Sequence, residues 1–183
     1  MVSWWSLLLF GVFVLVETET LAERHEDQRD LLLQQLMSRL EKLEADKGRS
    51  QVAFSASLVT TEHETFQGPF ETSSSLVFRK VTTNIGNAYN PETGVFTAPT
   101  KGLYYIRFTG SFGNSNVLNA AVLKNGENMF ATYNTVGHHS SDSNGMSLVL
   151  EEGDQVWVVL WASSSIFDQS RLSTFSGFLV FPM

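Results

Sequence analysis

Between Phe78 and Phe108, large apolar side chains, one asparagine and one glycine recur at intervals that leave the fold little freedom. The order is Phe78, Asn84, Tyr89, Phe96, then the run Gly102-Leu103-Tyr104-Tyr105-Ile106-Arg107-Phe108. An extended backbone through that run carries Tyr104, Ile106 and Phe108 on one face. Pro91-Glu92-Thr93-Gly94 supplies a turn into a strand around Phe96, because proline presets φ and glycine accepts a positive φ. The pattern is that of a packed β core, without the convergent polar groups of an active site.

The alternation extends along the chain. Val52–Val59, 76–83, 94–98, 102–112, Val117–Lys124, Glu127–Tyr133, Met146–Leu150, Gln155–Trp161 and Thr174–Phe181 all read as strands. Asn125-Gly126 is a strong hairpin signal, and Glu151-Glu152-Gly153-Asp154 is another tight turn. About ten short strands with no helical period predict an all-β sandwich or jelly roll over 51–183. In the last strand, Phe175, Gly177, Leu179 and Phe181 are expected on one face, with Ser176, Phe178 and Val180 on the other.

Antiparallel sheets ordinarily show one apolar and one polar face. Here Val156-Trp157-Val158-Val159-Leu160-Trp161 is apolar on both, and Leu103 and Tyr105 stand opposite Tyr104 and Ile106. Two explanations are open: fully buried central strands, or a second face covered by another subunit. The second accounts for more of the pattern.

The spacing Phe78, Asn84, Tyr89, Phe96, Gly102, Tyr104, Ile106, Phe108 closely resembles the signature of the C1q domain family. Ile106 stands where that family usually has phenylalanine, an apolar exchange that still suits a strand. Gly153-Asp154-Gln155-Val156-Trp157-Val158 and the closing run Ser173–Pro182 extend the resemblance over nearly all of 51–183. It implies a ten-stranded jelly roll of the C1q and tumour-necrosis-factor type, a non-enzymatic module and a homotrimer, with hetero-oligomers of related chains as an extension. Function would then reside in loops 60–75, 111–116, 134–145 and 162–173, polar segments on a rigid scaffold. Extracellular ligands such as microbial surface glycans or cell-surface receptors follow, with innate-immune pattern recognition as the leading role. Cerebellin-like signalling and a tumour-necrosis-factor-like cytokine are the alternatives. No Gly-X-Y tract is present, so the collagen stalk of complement C1q is missing, as are the amino-terminal cysteines that link cerebellin trimers.

Ahead of the β region stand two further segments. Trp4–Val16 is an almost unbroken apolar run, shorter than the about 20 residues a helix needs to cross a bilayer. With Thr20-Leu21-Ala22 behind it, the run predicts a signal peptide over 1–22 and a secreted protein without a membrane span, a signal anchor that keeps the protein membrane-bound being the rival reading. Residues 23–48 contain good helix formers, and Leu33, Leu36, Leu40 and Leu43 form a two-heptad seam. The segment is expected to be a short coiled-coil stalk, although a helix packed on its own domain would carry a similar stripe.

The chemistry of sites is sparse. The chain has 12 basic and 19 acidic residues, net −7, and no basic cluster, which excludes nucleic acid as a partner. Without cysteine there are no interchain disulfides and no thiolate metal sites. No nucleophile elbow, phosphate loop or dinucleotide fingerprint occurs, so no catalytic residue is assigned. His138-His139 with Asp142 is the best metal candidate, but its Ser- and Asn-rich surroundings read as a solvated loop. Calcium is the one cofactor the resemblance leaves open, with Asp142, Asp154 and Asp168 as oxygen donors to consider and no compact Asp-x-Asp run to mark a site. Arg79-Lys80, the one adjacent basic pair, reads as a solvated strand edge.

Overall fold

The computed structural model describes residues 24–44, 51–60, 63, 65–113, 117–134 and 140–183. The predicted signal peptide over 1–22 therefore lies outside the described residues, as do His138 and His139. The chain divides into two compact units, Met1–Gly48 and Arg49–Met183. In the first, residues 24–44 form one helix, α1, all of whose residues are exposed.

Among the described residues, the second unit holds thirteen strands in two sheets. The seven-stranded sheet contains β1 (Ala53–Ser57), β2 (Thr65–Gln67), β4 (Lys80–Ile85), β7 (Gly102–Phe112), β10 (Ser140–Leu150), β12 (Ile166–Asp168) and β13 (Thr174–Pro182). The six-stranded sheet contains β3 (Ser74–Leu76), β5 (Tyr89–Asn90), β6 (Val95–Thr97), β8 (Asn119–Lys124), β9 (Glu127–Tyr133) and β11 (Gln155–Leu160). Every strand pair is antiparallel. β7 is the organising strand. It pairs with β10 along its whole length on one edge, and with β13 from Gly102 to Thr109 on the other.

Between the sheets lies an apolar core with Phe78, Phe96, Tyr104, Ile106 and Phe108 essentially inaccessible to solvent. Phe54 sits at its aromatic centre, stacked on Tyr89 and Phe96 with centroids 5.1 and 4.9 Å away, and edge-on to Phe175 at 4.9 Å. Such offset and edge contacts add to the burial of the rings themselves. An isolated two-stranded hairpin is at best marginally stable in water, so this shared core holds the strands together.

The turns follow the local chemistry. Asn125 and Gly126 both take positive φ (51° and 89°), as the tight hairpin between β8 and β9 requires. The neighbouring turn between β10 and β11 is tied to that hairpin by Asp154. Its carboxylate pairs with Lys124 Nζ at 2.9 Å and accepts from Asn125 Nδ2 at 2.7 Å and Glu151 N–H at 2.9 Å. Asn125 in turn accepts the Gln155 N–H through Oδ1 at 2.9 Å.

Four expectations are corrected. The segment 76–83 is not one strand: β3 and β4 belong to different sheets, and the chain crosses the core at Phe78. Ser140–Asn144 is not a solvated loop but the first half of β10, paired residue for residue with β7. Within 162–173, Ile166–Asp168 is a buried strand, and Asp168 is fully buried. Finally, a register shift between Leu179 and Phe181 places Phe181 opposite Leu103, so it shares the outer face with Phe178.

The Asp154 cluster yields a prediction. Hydrogen bonds from Lys124 and then Asn125 lower its pKa from 3.8 to about 2. A carboxyl depressed in the folded state stabilises the fold above its unfolded pKa, and that contribution is lost as pH falls towards 2. Asp154→Asn is expected to cost about 1 kcal/mol at neutral pH, as partly exposed pairs do. In denaturation series from pH 7 to 2, the gap between the two proteins should close below pH 4. A gap independent of pH would contradict this account.

Candidate functional site

The signature residues are core residues. Tyr89 Oη donates to the Phe78 carbonyl at 2.9 Å and accepts from the Phe78 N–H at 3.1 Å. Asn84 clamps the other end: its Nδ2 donates to the Tyr89 carbonyl at 2.8 Å, and its Oδ1 accepts the Tyr89 N–H at 3.1 Å. Thus Asn84 and Tyr89 supply the partners that the backbone lacks where it crosses between sheets. Burial pushes the Tyr89 phenol up to about 12. Gly102 is demanded by close approach, since a Cβ there would stand 2.6 Å from Leu179 Cδ1 and 2.7 Å from the Phe181 carbonyl.

The outer face of the seven-stranded sheet is the largest feature not explained by the core. Its cross-strand registers sort it into rows. One row runs Ile85, Ala53, Phe178, Tyr105 across β4, β1, β13 and β7; the next runs Phe181, Leu103, Val149 across β13, β7 and β10. Further along, the rows become polar: Thr83, Ser55, Ser176, Arg107, then Ser57, Thr174, Thr109, Ser143. Arg107 Nε donates to Ser143 Oγ at 3.0 Å, and Thr109 and Ser143 share a hydrogen bond of 3.1 Å. Tyr105 packs against Phe178 at 5.8 Å, its phenol lying over Gly145, where a Cβ would meet the oxygen at 2.5 Å. Ile85, Phe178, Phe181 and Val149 remain 47–51 % exposed in the single chain. Contiguous apolar rows of this kind, bordered by polar ones, mark interaction surfaces. The corresponding apolar face of β11 is better covered, with Trp157, Val159 and Trp161 only half-exposed or less.

Leu33, Leu36, Leu40 and Leu43 all lie on α1 and are 49–68 % exposed there. Leu32 and Met37 are similarly exposed, and broaden the apolar stripe beyond the four seam leucines.

The calcium candidates do not converge. Among the described residues, no group of three or more metal-binding side chains stands together. Asp154 is held by Lys124, and Asp168 accepts the Val59 and Ser173 N–H groups, both at 3.1 Å. Asp142 projects from β10 with a buried Oδ2 that has no hydrogen-bond partner. Among the described residues, no helix is long and apolar enough to cross a membrane.

These two sheets and their connections define a jelly roll of the C1q and tumour-necrosis-factor type. The C1q domain matches residues 53–180, and the chain belongs to that family. Its members are non-enzymatic ligand-binding proteins, in keeping with the lack of a catalytic constellation in the sequence. Over 135 residues the chain is 37 % identical to mouse complement C1q tumor necrosis factor-related protein 3, covering 72 % of this chain and 52 % of the relative. The human protein of the same name is 36 % identical over 135 residues, with the same coverage of both chains. The chain thus spans about half the length of these curated relatives. In structure it is similar to the globular domain of zebrafish complement 1qA (TM-score 0.52, 20 % identity, covering 72 % of this chain and 99 % of that one). It is also similar to the Eiger tumour necrosis factor of S. frugiperda (TM-score 0.58, 12 % identity, covering 74 % and 96 %). Murine APRIL shows the same relation (TM-score 0.56, 14 % identity, covering 70 % and 98 %). The structural likenesses establish the fold.

The clamp can be tested directly. Tyr89→Phe leaves the Phe78 N–H and carbonyl without their partner, at an expected cost of about 1–3 kcal/mol. Tyr133→Phe should change stability by less than about 0.5 kcal/mol, because that side chain is 70 % exposed on β9. Chemical denaturation of both variants checks the difference, and equal losses would count against the clamp.

Proposed function

We propose that the protein is a secreted C1q-type recognition module that works as a homotrimer and binds extracellular ligands through its loops. Innate-immune recognition of repetitive microbial surfaces is the role this reading favours. The observation that carries it is the apolar half of the outer sheet face on a chain of the C1q family. Four large side chains half-exposed on a rigid sheet need a cover, and a second copy of the same face or its edge is the natural one. Relatives at 36–37 % identity are C1q-type proteins, whereas the tumour-necrosis-factor ligands share the fold at 12–14 %. The recognition reading is therefore preferred to a cytokine.

In this reading α1 is a stalk. Its leucine stripe is short, and two heptads alone give a marginal coiled coil. Attached to heads that already associate, it would set the alignment of the chains rather than hold them together. Three copies of a weak loop site raise binding to a repetitive surface by about 10²-fold or more over one copy.

Phe178→Asp places a charge in the middle of the apolar rows. The variant is expected to keep the near-ultraviolet circular dichroism of the wild type, sediment as a monomer where the wild type is a trimer, and lose about 10²-fold in apparent affinity for immobilised bacterial polysaccharide. A wild-type chain that sediments as a monomer at micromolar concentration would overturn the assembly reading. A trimer that binds no microbial polysaccharide, with or without chelator, would overturn the immune one.

A further inference from the structure

A groove of about 700 Å³ opens on the flank of the sandwich between two edge strands, β2 of one sheet and β3 of the other. Leu58 and Val77 line its apolar base, Phe66 and Phe70 stand beside it, and Ser75 and Arg79 complete the other side. Phe66 and Phe70 are 43 % and 39 % exposed. Both are nevertheless held in place. The Phe66 ring lies against Phe167 at 5.0 Å, and the Phe70 carbonyl accepts the Ser163 N–H at 2.9 Å. Arg79 is anchored through its backbone N–H to the Leu58 carbonyl at 3.5 Å, and its guanidinium makes no ion pair among the described residues. No carboxylate lines the groove among the described residues.

An open groove of this size, with aromatic and aliphatic side chains on one part of its wall, polar Thr60, Thr65, Gln67 and Ser75 on the rest and one positive charge at its rim, can seat a small molecule. The charge selects the ligand, because a planar guanidinium matches a carboxylate through two parallel N–H···O bonds. We propose that this groove binds a small amphipathic carboxylate, its apolar body against Phe66, Phe70, Leu58 and Val77 and its head group on Arg79. The groove shares no residue with the apolar rows of the outer sheet face, so the proposal stands apart from the assembly reading. It also gives Arg79 a role other than that of a solvated strand edge. The groove's walls come from residues that a linear reading keeps apart, which is why no motif announces it.

Dodecanoate is a suitable probe, titrated into the full secreted chain by calorimetry below its micelle concentration, with dodecyltrimethylammonium as the cationic control. One saturable site per chain is expected for dodecanoate and none for the cation. Arg79→Glu should weaken binding by about tenfold or more, as loss of a charge-assisted pair does. Ser75→Trp, which fills the groove from an exposed position, should abolish binding. Phe178→Asp should bind dodecanoate as the wild type does, which separates this site from the sheet face. Equal binding of the two amphiphiles, wild-type affinity in both groove variants, or no heat of binding up to the solubility limit would each overturn the proposal. The comparison of the two amphiphiles uses the wild-type chain alone and so does not depend on any variant folding.

Discussion

The first half of β7 is apolar on both of its faces, the whole strand is hydrogen-bonded along both of its edges, and most of the molecule is arranged to satisfy that strand. Its even-numbered side chains, Tyr104, Ile106 and Phe108, point between the sheets, where Tyr104 meets Phe96 and Phe108 meets Phe78. Its odd-numbered Leu103 and Tyr105 point the other way, beside Phe178, Phe181 and Val149. One strand therefore supplies both the core that makes the domain stable and part of the apolar rows that stand exposed on the single chain. Gly102 permits the arrangement at its start, where β13 passes too close for a side chain.

The division of the outer face into apolar and polar halves gives the surface a direction. Hydrophobic burial supplies attraction without orientation. The Arg107, Thr109 and Ser143 hydrogen bonds hold polar groups in fixed positions beside it. A partner seated on the apolar rows would therefore meet a defined polar border. Loops at the ends of a sandwich braced in this way can vary without disturbing either surface, which is how one scaffold serves many ligands.

The parts of this architecture governed by local chemistry were legible in the sequence. Asn125-Gly126 and Glu151–Asp154 announce their turns, and the alternation of Gly102–Phe112 and Glu127–Tyr133 marks two strands to the residue. What escaped was set by distant pairing. Ser140–Asn144 consists of small polar residues with no alternation to read, and it is a strand because β7 offers an open edge. β2 and β12 are three residues each and exist through each other. Phe181 changes face because the ladder shifts register one residue earlier, and a period-2 count cannot see such a shift. The Asn84–Tyr89–Phe78 clamp was visible only as spacing; its reason, the backbone's need for partners at a sheet crossing, appears only in three dimensions.

The central claim is that the apolar rows of the outer face are covered by another copy of the chain. Hydroxyl-radical footprinting of the intact protein at micromolar concentration reads this residue by residue. Tyr105, Phe178 and Phe181 should be protected, while Tyr133, which is 70 % exposed on β9, is oxidised readily. Protection should fade on dilution. Oxidation of Phe178 and Phe181 as fast as Tyr133, after allowance for the intrinsic reactivity of each ring, would contradict the account.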